Sequence, residues 1–258
     1  NPASMKRIVA IGDSVTNGMV WPEECYRRLT QTGGTPAGHG FANFEFVGDQ
    51  AFPNFGTQGA FGHSGWTFGT YTTAGSPFWV SSALTVKGWI DANASGTAPD
   101  LFIIHLGWNG LVDSPVASGH AATVTAGKVL VDKIHSEYPS AKVVLIGLQV
   151  PPLNGALSIE SPTGQYAHHY DLARYANGLN LAYAAWAAEA GYSSWMRYVS
   201  LAAQFDADYN YNDEVETVAV NTRSNVTESR GTNTIHPGSH GRLQIADVAY
   251  REIVRAFA

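Results

Sequence analysis

The sequence predicts an α/β protein in which a parallel sheet lies between two layers of helices. Short apolar runs of strand length alternate with longer segments of helical periodicity, which is the pattern of repeated βαβ units. Some of these runs are apolar almost throughout, as strands covered on both faces should be. Apolar residues make up 45% of the 258 residues and charged residues only 14%, which indicates a well-buried globular chain. We therefore expect a three-layer α/β/α sandwich.

Five segments have the length and composition of parallel strands. The first begins a few residues from the N-terminus and ends in Gly-Asp-Ser, and the third is the most continuously apolar. In chain order they cover residues 6–11, 44–47, 101–106, 143–146 and 197–200. We expect these five strands to form one sheet.

Helical periodicity falls between and after these strands. A helix over residues 22–30 contains Cys25, the only cysteine, which we expect to be a packed thiol. Apolar stripes at helical spacing cover residues 124–138, 172–186 and 243–257. No internal repeat or low-complexity linker interrupts the pattern, so we expect a single domain over residues 5–258. Residues 1–4 are either a remnant of cloning or the trimmed edge of a longer protein.

The net charge and the absence of several motifs exclude other classes of function. A formal net charge of -6 argues against nucleic acid or an anionic membrane surface as a partner. No apolar run approaches the roughly 20 residues that span a bilayer. No dinucleotide or P-loop glycine motif follows a strand, and no G-x-S-x-G elbow occurs. No secretory signal is visible at the start, so the location stays open, with an extracellular or virion-associated site expected if the chain is an excised domain.

A serine and a histidine lie where hydrolytic chemistry would need them. Ser14 follows the first strand, at the carboxyl edge where open α/β sheets place their sites. His236 precedes Pro237 and the C-terminal helix, so it lies in a loop that can reach the same edge. Ester hydrolysis by a serine needs a hydroxyl, a base and donors for the oxyanion. Ser14 offers the hydroxyl, and His236 is the best candidate base.

Oxyanion donors are available on two other segments. Gly65 offers a backbone N–H, Asn109 a side-chain amide, and Ser14 its own N–H. Asn109 follows the third predicted strand. With the flavodoxin-like strand order 2-1-3-4-5 that we predict, the third strand lies beside the first, so Asn109 lies close to Ser14.

These residues form four short blocks, which occur in order along the chain: Gly12-Asp13-Ser14, Gly65, Gly107-x-Asn109 and His236-Pro237. The blocks match those of the SGNH (GDSL-type) hydrolases in order and approximate spacing, so the chain resembles that family over essentially its whole length. Residues 62–67 look like the acetylxylan-esterase-type carbohydrate esterases of the family, and residues 204–237 are similar to SGNH domains of phage and gut bacteria.

The resemblance implies a role for each block. Ser14 would be the nucleophile and His236 the base, while Ser14 N–H, Gly65 N–H and Asn109 would form the oxyanion hole. The family uses no metal or cofactor, so none is expected here.

Two departures from the family pattern affect the rest of the site. The family carries an aspartate three residues before the histidine, where this chain has Asn233. An asparagine accepts the imidazole Nδ1–H through its Oδ1 but brings no charge. We predict Asn233 as the third catalytic member, with a backbone carbonyl near it, Asp206, Asp208 or Glu228 as the alternatives. The third block also has Gly110 where the family has an aspartate.

Aromatic side chains flank the predicted oxyanion donors. Trp66 and Trp108 adjoin Gly65 and Asn109, and a tryptophan face can cover the apolar side of a sugar ring. The alternative is that these aromatics pack the loop against the sheet. We predict removal of acyl groups, most simply acetyl, from an acylated carbohydrate. The rivals are a lipid esterase, lysophospholipase or thioesterase with the same machinery, and a carbohydrate-binding or phage-tail module that has lost catalysis.

The polar segment over residues 205–235 has little core material. We interpret it as a substrate-binding wall, with surface decoration or an oligomer contact as the alternative. Its alternating Asp and Asn residues could bind calcium but lack the EF-hand glycine, so a solvated loop is favoured.

Overall fold

The computed structural model describes residues 2–113, 117–152, 169–207, 210–211, 215–219, 223, 225–231 and 235–258. The strands, in chain order, are β1 Lys6–Gly12, β2 Phe44–Val47, β3 Gln50–Ala51, β4 Gly59–Gly62, β5 Trp79–Val80, β6 Ala83–Leu84, β7 Leu101–His105, β8 Lys142–Ile146, β9 Met196–Val199, β10 Val215–Ala219 and β11 Thr227–Gly231. The helices are α1 Ser14–Asn17, α2 Val20–Thr30, α3 Phe68–Tyr71, α4 Val86–Asn93, α5 Trp108–Asp113, α6 Ala117–Glu137, α7 His169–Ala188 and α8 Ser239–Phe257.

The central sheet is parallel except at one edge. β1 lies in the middle and pairs with β7 on one side, which is followed by β8 and β9. On its other side β1 pairs with β2 along its first half and with β4 at its end, and the short β3 runs antiparallel to β4. The five predicted strands follow one another as β2-β1-β7-β8-β9, which agrees with the predicted order 2-1-3-4-5. The predicted count of five was too low, because the sheet has seven strands: β4 also pairs with β1, and β3 adds an antiparallel edge.

Helices cover both faces of this sheet. α2 packs against α8 in one layer, and α6 packs against α3, α4 and α7 in the other. Ile8 to Ile11 of β1 and Leu101 to Ile104 of β7 are fully buried, because both faces of these central strands are covered. The predicted α/β/α sandwich is confirmed. None of the described helices combines the length and the hydropathy needed to cross a lipid bilayer.

The packing of α2 on α8 explains the single cysteine. Cys25 is fully buried on α2, and its Sγ lies 3.5 Å from the backbone oxygen of Ala246 in α8. Burial raises the pKa of the Cys25 thiol, so the sulfur stays protonated and unreactive. The prediction of a packed thiol is confirmed.

Candidate active site

Ser14 is the first residue of α1, directly beyond the end of β1. The carboxylate of Asp13 caps this short helix, since its Oδ1 accepts a hydrogen bond of 3.0 Å from the backbone N–H of Val15. The sharp change from strand to helix lifts the Ser14 side chain to the carboxyl edge of the sheet, where it is partly exposed.

The structure brings Ser14 together with His236, which is 222 residues away in sequence. His236 lies in the loop that leads into α8, and its Nε2 is 2.6 Å from Ser14 Oγ. At this distance the hydroxyl can donate its hydrogen to Nε2, which is the arrangement a general base needs. Pairing of these two side chains makes Ser14 a candidate nucleophile.

The loop that carries Gly65 is fastened to the end of β1. The Tyr71 hydroxyl contacts the backbone oxygens of Gly12, at 2.8 Å, and of Phe61, at 2.9 Å. The backbone N–H of His63 also donates to Gly12 O over 3.2 Å. Gly65 itself has φ +79°, a left-handed conformation that a residue with a Cβ rarely adopts. These constraints hold the Gly65 loop beside Ser14.

Asn109 connects the third block to the same loop. It lies at the start of α5, after β7, and its Nδ2 donates to the backbone oxygen of Trp66 over 3.0 Å. An amide nitrogen carries two hydrogens, so the second remains for a ligand oxygen. Gly107 precedes it with φ +140°, and a Cβ there would lie 2.7 Å from the Tyr183 hydroxyl. A glycine is therefore required at the turn from β7 into α5.

The two tryptophans beside these donors differ in exposure. Trp66 is partly exposed, and its ring stacks on His63 with a centroid distance of 4.0 Å. Trp108 is only 1% exposed and belongs to the hydrophobic core. A ring buried in this way offers no face to a sugar, so the predicted substrate contact of Trp108 is wrong. Trp66 remains available for such a contact.

Asp13 is a site residue whose burial the sequence did not reveal. Its side chain is 1% exposed, and Oδ2 has no hydrogen-bond partner within the part of the chain that the structure describes. Burial raises the pKa of Asp13 to about 7, while the Val15 N–H and the nearby charge of His236 act in the opposite direction. Titratable groups perturbed in this way cluster at functional sites.

The raised pKa of Asp13 predicts a pH-dependent stability. In the folded protein the pKa of Asp13 is about 7, so the proton is kept up to about that pH. In an unfolded chain the pKa is 3.8, and the proton is lost at a much lower pH. Because the folded state binds the extra proton, stability falls as the pH rises through this window. Asp13→Asn keeps an acceptor for the Val15 N–H but has no proton to lose. The free energy of unfolding, measured in urea, should therefore fall between pH 5 and pH 8 by about 2 kcal/mol less in Asp13→Asn than in the wild type.

A matched control for Asp13→Asn is Asp91→Asn, which alters an exposed carboxylate paired with Lys87. Surface pairs of this kind contribute little to stability, so the free energy of unfolding of Asp91→Asn should change with pH as it does in the wild type. Equal slopes for wild type and Asp13→Asn would show that the buried carboxyl group is already ionised at pH 5.

The predicted third catalytic member lies in a part of the chain that the structure does not describe. Asn233 and Asp208 lie outside the described residues, as does the side chain of Glu228. Asp206 is exposed, and its backbone N–H donates to Gln244 Oε1 over 2.9 Å. Orientation of His236 by Asn233 therefore stays a prediction.

Within the described residues, no group of three or more His, Cys, Asp or Glu side chains is arranged to hold a metal ion.

Gln149 is a second residue that the sequence analysis missed. It follows β8 and is fully buried, and its Nε2 donates to the backbone oxygen of Ile235, next to His236. The available signal was a single amide in the otherwise apolar segment Leu148-Gln149-Val150 after the fourth predicted strand.

Comparison with known proteins gives similarity in structure only. No sequence profile of a known family and no curated protein sequence matches the chain. Among solved structures, a Clostridium thermocellum family 3 carbohydrate esterase has a TM-score of 0.59 at 20% identity, over 99% of this chain and all of that one. A family 3 carbohydrate esterase from Talaromyces cellulolyticus has a TM-score of 0.58 at 16% identity, over 98% of each chain.

A third similar structure is named as a lipase. It is a GDSL-like lipase from Bacteroides thetaiotaomicron, with a TM-score of 0.52 and 15% identity over 97% of this chain and 89% of that one. Together these similarities show that the chain has the SGNH hydrolase fold, which confirms the fold that the four sequence blocks indicated.

Proposed function

We propose that the protein is a serine ester hydrolase. The observation that carries the proposal is the 2.6 Å contact between Ser14 Oγ and His236 Nε2, at the sheet edge where Gly65 and Asn109 also lie. A hydroxyl and a base thus lie in contact, and the proposed oxyanion donors follow β4 and β7, the two strands that pair with the end of β1. That all structural neighbours cited above are named as esterases or lipases supports the same activity.

The arrangement supports a two-step acyl transfer. His236 Nε2 accepts the Ser14 proton while Oγ attacks the ester carbonyl carbon, and the N–H groups of Ser14 and Gly65 with the Asn109 amide stabilise the oxyanion. The imidazolium then gives the proton to the leaving alcohol, which leaves an acyl group on Ser14. A water molecule, deprotonated by His236, attacks this acyl-enzyme and releases the acid.

For the substrate we propose an acetylated carbohydrate. Trp66 supports this, because a partly exposed tryptophan beside the oxyanion donors can pack on a sugar ring. Two of the similar structures are named as carbohydrate esterases. The lipid esterase is the second candidate, favoured by the similarity to a protein named as a GDSL-like lipase.

A series of acyl esters tests the activity and separates these candidates. We expect kcat/KM to be higher for p-nitrophenyl acetate than for esters with eight or more acyl carbons, and acetate to be released from acetylated xylan oligosaccharides. Ser14→Ala should reduce hydrolysis to background, whereas Ser136→Ala, which alters an exposed serine of α6, should change nothing.

Each other outcome of the series has a clear meaning. A kcat/KM that rises with chain length would favour the lipid esterase. Hydrolysis that survives Ser14→Ala would refute the proposed nucleophile. Binding of the oligosaccharides without any hydrolysis would point to a carbohydrate-binding module that has lost catalysis.

A further inference from the structure

Gln149 joins the central sheet to the loop that carries His236. Its side chain is fully buried, and its Nε2 donates a hydrogen bond of 2.8 Å to the backbone oxygen of Ile235. Ile235 immediately precedes His236, so this bond fixes the peptide group on the N-terminal side of the candidate base. The two residues are 86 positions apart in sequence, so only the tertiary fold creates this contact.

The backbone around Gln149 is itself held on both sides. The buried amide of Asn180 on α7 makes two hydrogen bonds with Leu148. The Leu148 N–H donates to Asn180 Oδ1 over 2.7 Å, and Asn180 Nδ2 donates to the Leu148 backbone oxygen over 3.0 Å. The Tyr211 hydroxyl donates to the backbone oxygen of Val150 over 3.1 Å. The segment after β8 is therefore a rigid support from which a single amide reaches the His236 loop.

Two buried rings, those of His105 and Tyr211, adjoin the Gln149 amide. The ring of His105, at the end of β7, lies beside the Gln149 amide and is 1% exposed. Burial lowers the pKa of His105 to about 4, and the Gln149 amide only partly opposes this effect. His105 is consequently neutral at physiological pH. In such a low-dielectric environment an amide–carbonyl hydrogen bond is strong, and an unpaired partner is costly.

The C-terminal side of His236 is held differently. Arg242 Nε donates to the backbone oxygen of Pro237 over 3.1 Å, and the N–H of Gly238 donates to the backbone oxygen of Asn210 over 2.8 Å. These partners lie on α8 and on the polar segment before it. Gln149 instead follows β8, which is two strands from β1 and Ser14 in the same sheet. Its hydrogen bond therefore connects the residue next to His236 directly to the sheet whose strand β1 leads into Ser14.

We propose that Gln149 is a positioning residue, which sets the distance between His236 Nε2 and Ser14 Oγ through its hydrogen bond to Ile235. The catalytic consequence rests on the proposed function, because it requires His236 to act as the base. Displacement of a catalytic group by about 1 Å can reduce a rate by up to about 100-fold. Loss of this hydrogen bond should therefore affect the chemical step more than substrate binding.

A double-mutant cycle tests this proposal. Gln149→Met keeps the size of the side chain but removes the donor, and we expect it to lower kcat for p-nitrophenyl acetate about 10-fold or more with KM changed less than about threefold. The rate of inactivation by a fluorophosphonate should fall by the same factor. In a His236→Gln background the same substitution should cost nothing further, because the group that it positions is gone.

The outcome that would overturn the proposal is an equal loss of kcat in both backgrounds, since a general structural role adds to any other defect. Gln204→Met makes the same substitution at an exposed glutamine and should leave all rates unchanged. If Gln149→Met does not fold, Gln149→Asn provides the second variant. Its side chain keeps an uncharged amide but is one methylene shorter, so the amide no longer reaches the backbone oxygen of Ile235.

Hydrogen exchange provides a readout that does not need ester hydrolysis. In Gln149→Met we expect the backbone amides of residues 235, 236 and 238–241 to exchange about 10-fold faster, while those of β1 and α2 keep the wild-type rates. If the wild type hydrolyses no ester, the proposed function fails and this measurement still tests the positioning. Unchanged exchange in residues 235–241, or faster exchange across the whole sheet, would overturn it.

Discussion

Replacing His236 with glutamine is expected to lower kcat for an acetyl ester by about 10⁴-fold or more. Glutamine has a similar reach and can bond to the Ser14 hydroxyl, but it cannot accept the proton. No other described side chain is hydrogen-bonded to Ser14 Oγ, which lies 2.6 Å from His236 Nε2. Initial rates and fluorophosphonate inactivation should both fall, because both depend on an activated serine.

His240→Gln is the matched control for this experiment. His240 lies four residues later, on the first turn of α8, and its side chain is exposed. The same substitution there should leave kcat unchanged. If His236→Gln kept more than about a tenth of the wild-type kcat, a different group would have to activate Ser14.

Asn109→Ala is expected to reduce kcat by about 10²–10³-fold, with a much smaller effect on KM. The loss has this size because an oxyanion donor is used mainly in the transition state, when the carbonyl oxygen becomes charged. Asn109 also donates to the backbone oxygen of Trp66 over 3.0 Å, so part of the effect comes from a looser Gly65 loop. Steady-state kinetics with p-nitrophenyl acetate measures the combined loss.

Asn93→Ala is the matched control, because it removes a side-chain hydrogen bond to the backbone away from the candidate site. Asn93 is exposed at the end of α4, and its Nδ2 donates to the backbone oxygen of Trp89 over 2.9 Å, which is the same kind of bond. Its removal should change thermal stability slightly and kcat not at all. If Asn109→Ala left kcat unchanged, as Asn93→Ala should, Asn109 would not be an oxyanion donor.

The main strands of the fold are visible in the sequence because burial on both faces leaves a simple signal. Ile8 to Ile11 of β1 and Leu101 to Ile104 of β7 are apolar throughout, so the positions of these strands follow from composition. β4 was not predicted, because Gly59–Gly62 contains two glycines, which are depleted in strands. Its strand conformation depends on pairing with the end of β1, a contact made in three dimensions.

The site was predictable where topology alone brings residues together. The carboxyl ends of parallel neighbouring strands meet at one edge, so Ser14 after β1 and Asn109 after β7 are expected at the same edge, since Gly12 pairs with His105 at the ends of these strands. Burial of individual side chains was not predictable in the same way. Trp108 follows a strand just as Asn109 does, yet it turns into the core. The roles of Asp13 and Gln149 depend on neighbours far away in sequence.

The most direct test of the central claim is the mass of the protein after treatment with a fluorophosphonate. We expect one adduct on the wild type, located on Ser14 within tryptic peptide 8–27, and no adduct on Ser14→Ala. His236→Gln should react far more slowly at the same position. An adduct that persists on Ser14→Ala, or a folded wild type that never reacts, would contradict the assignment of Ser14 as an activated nucleophile.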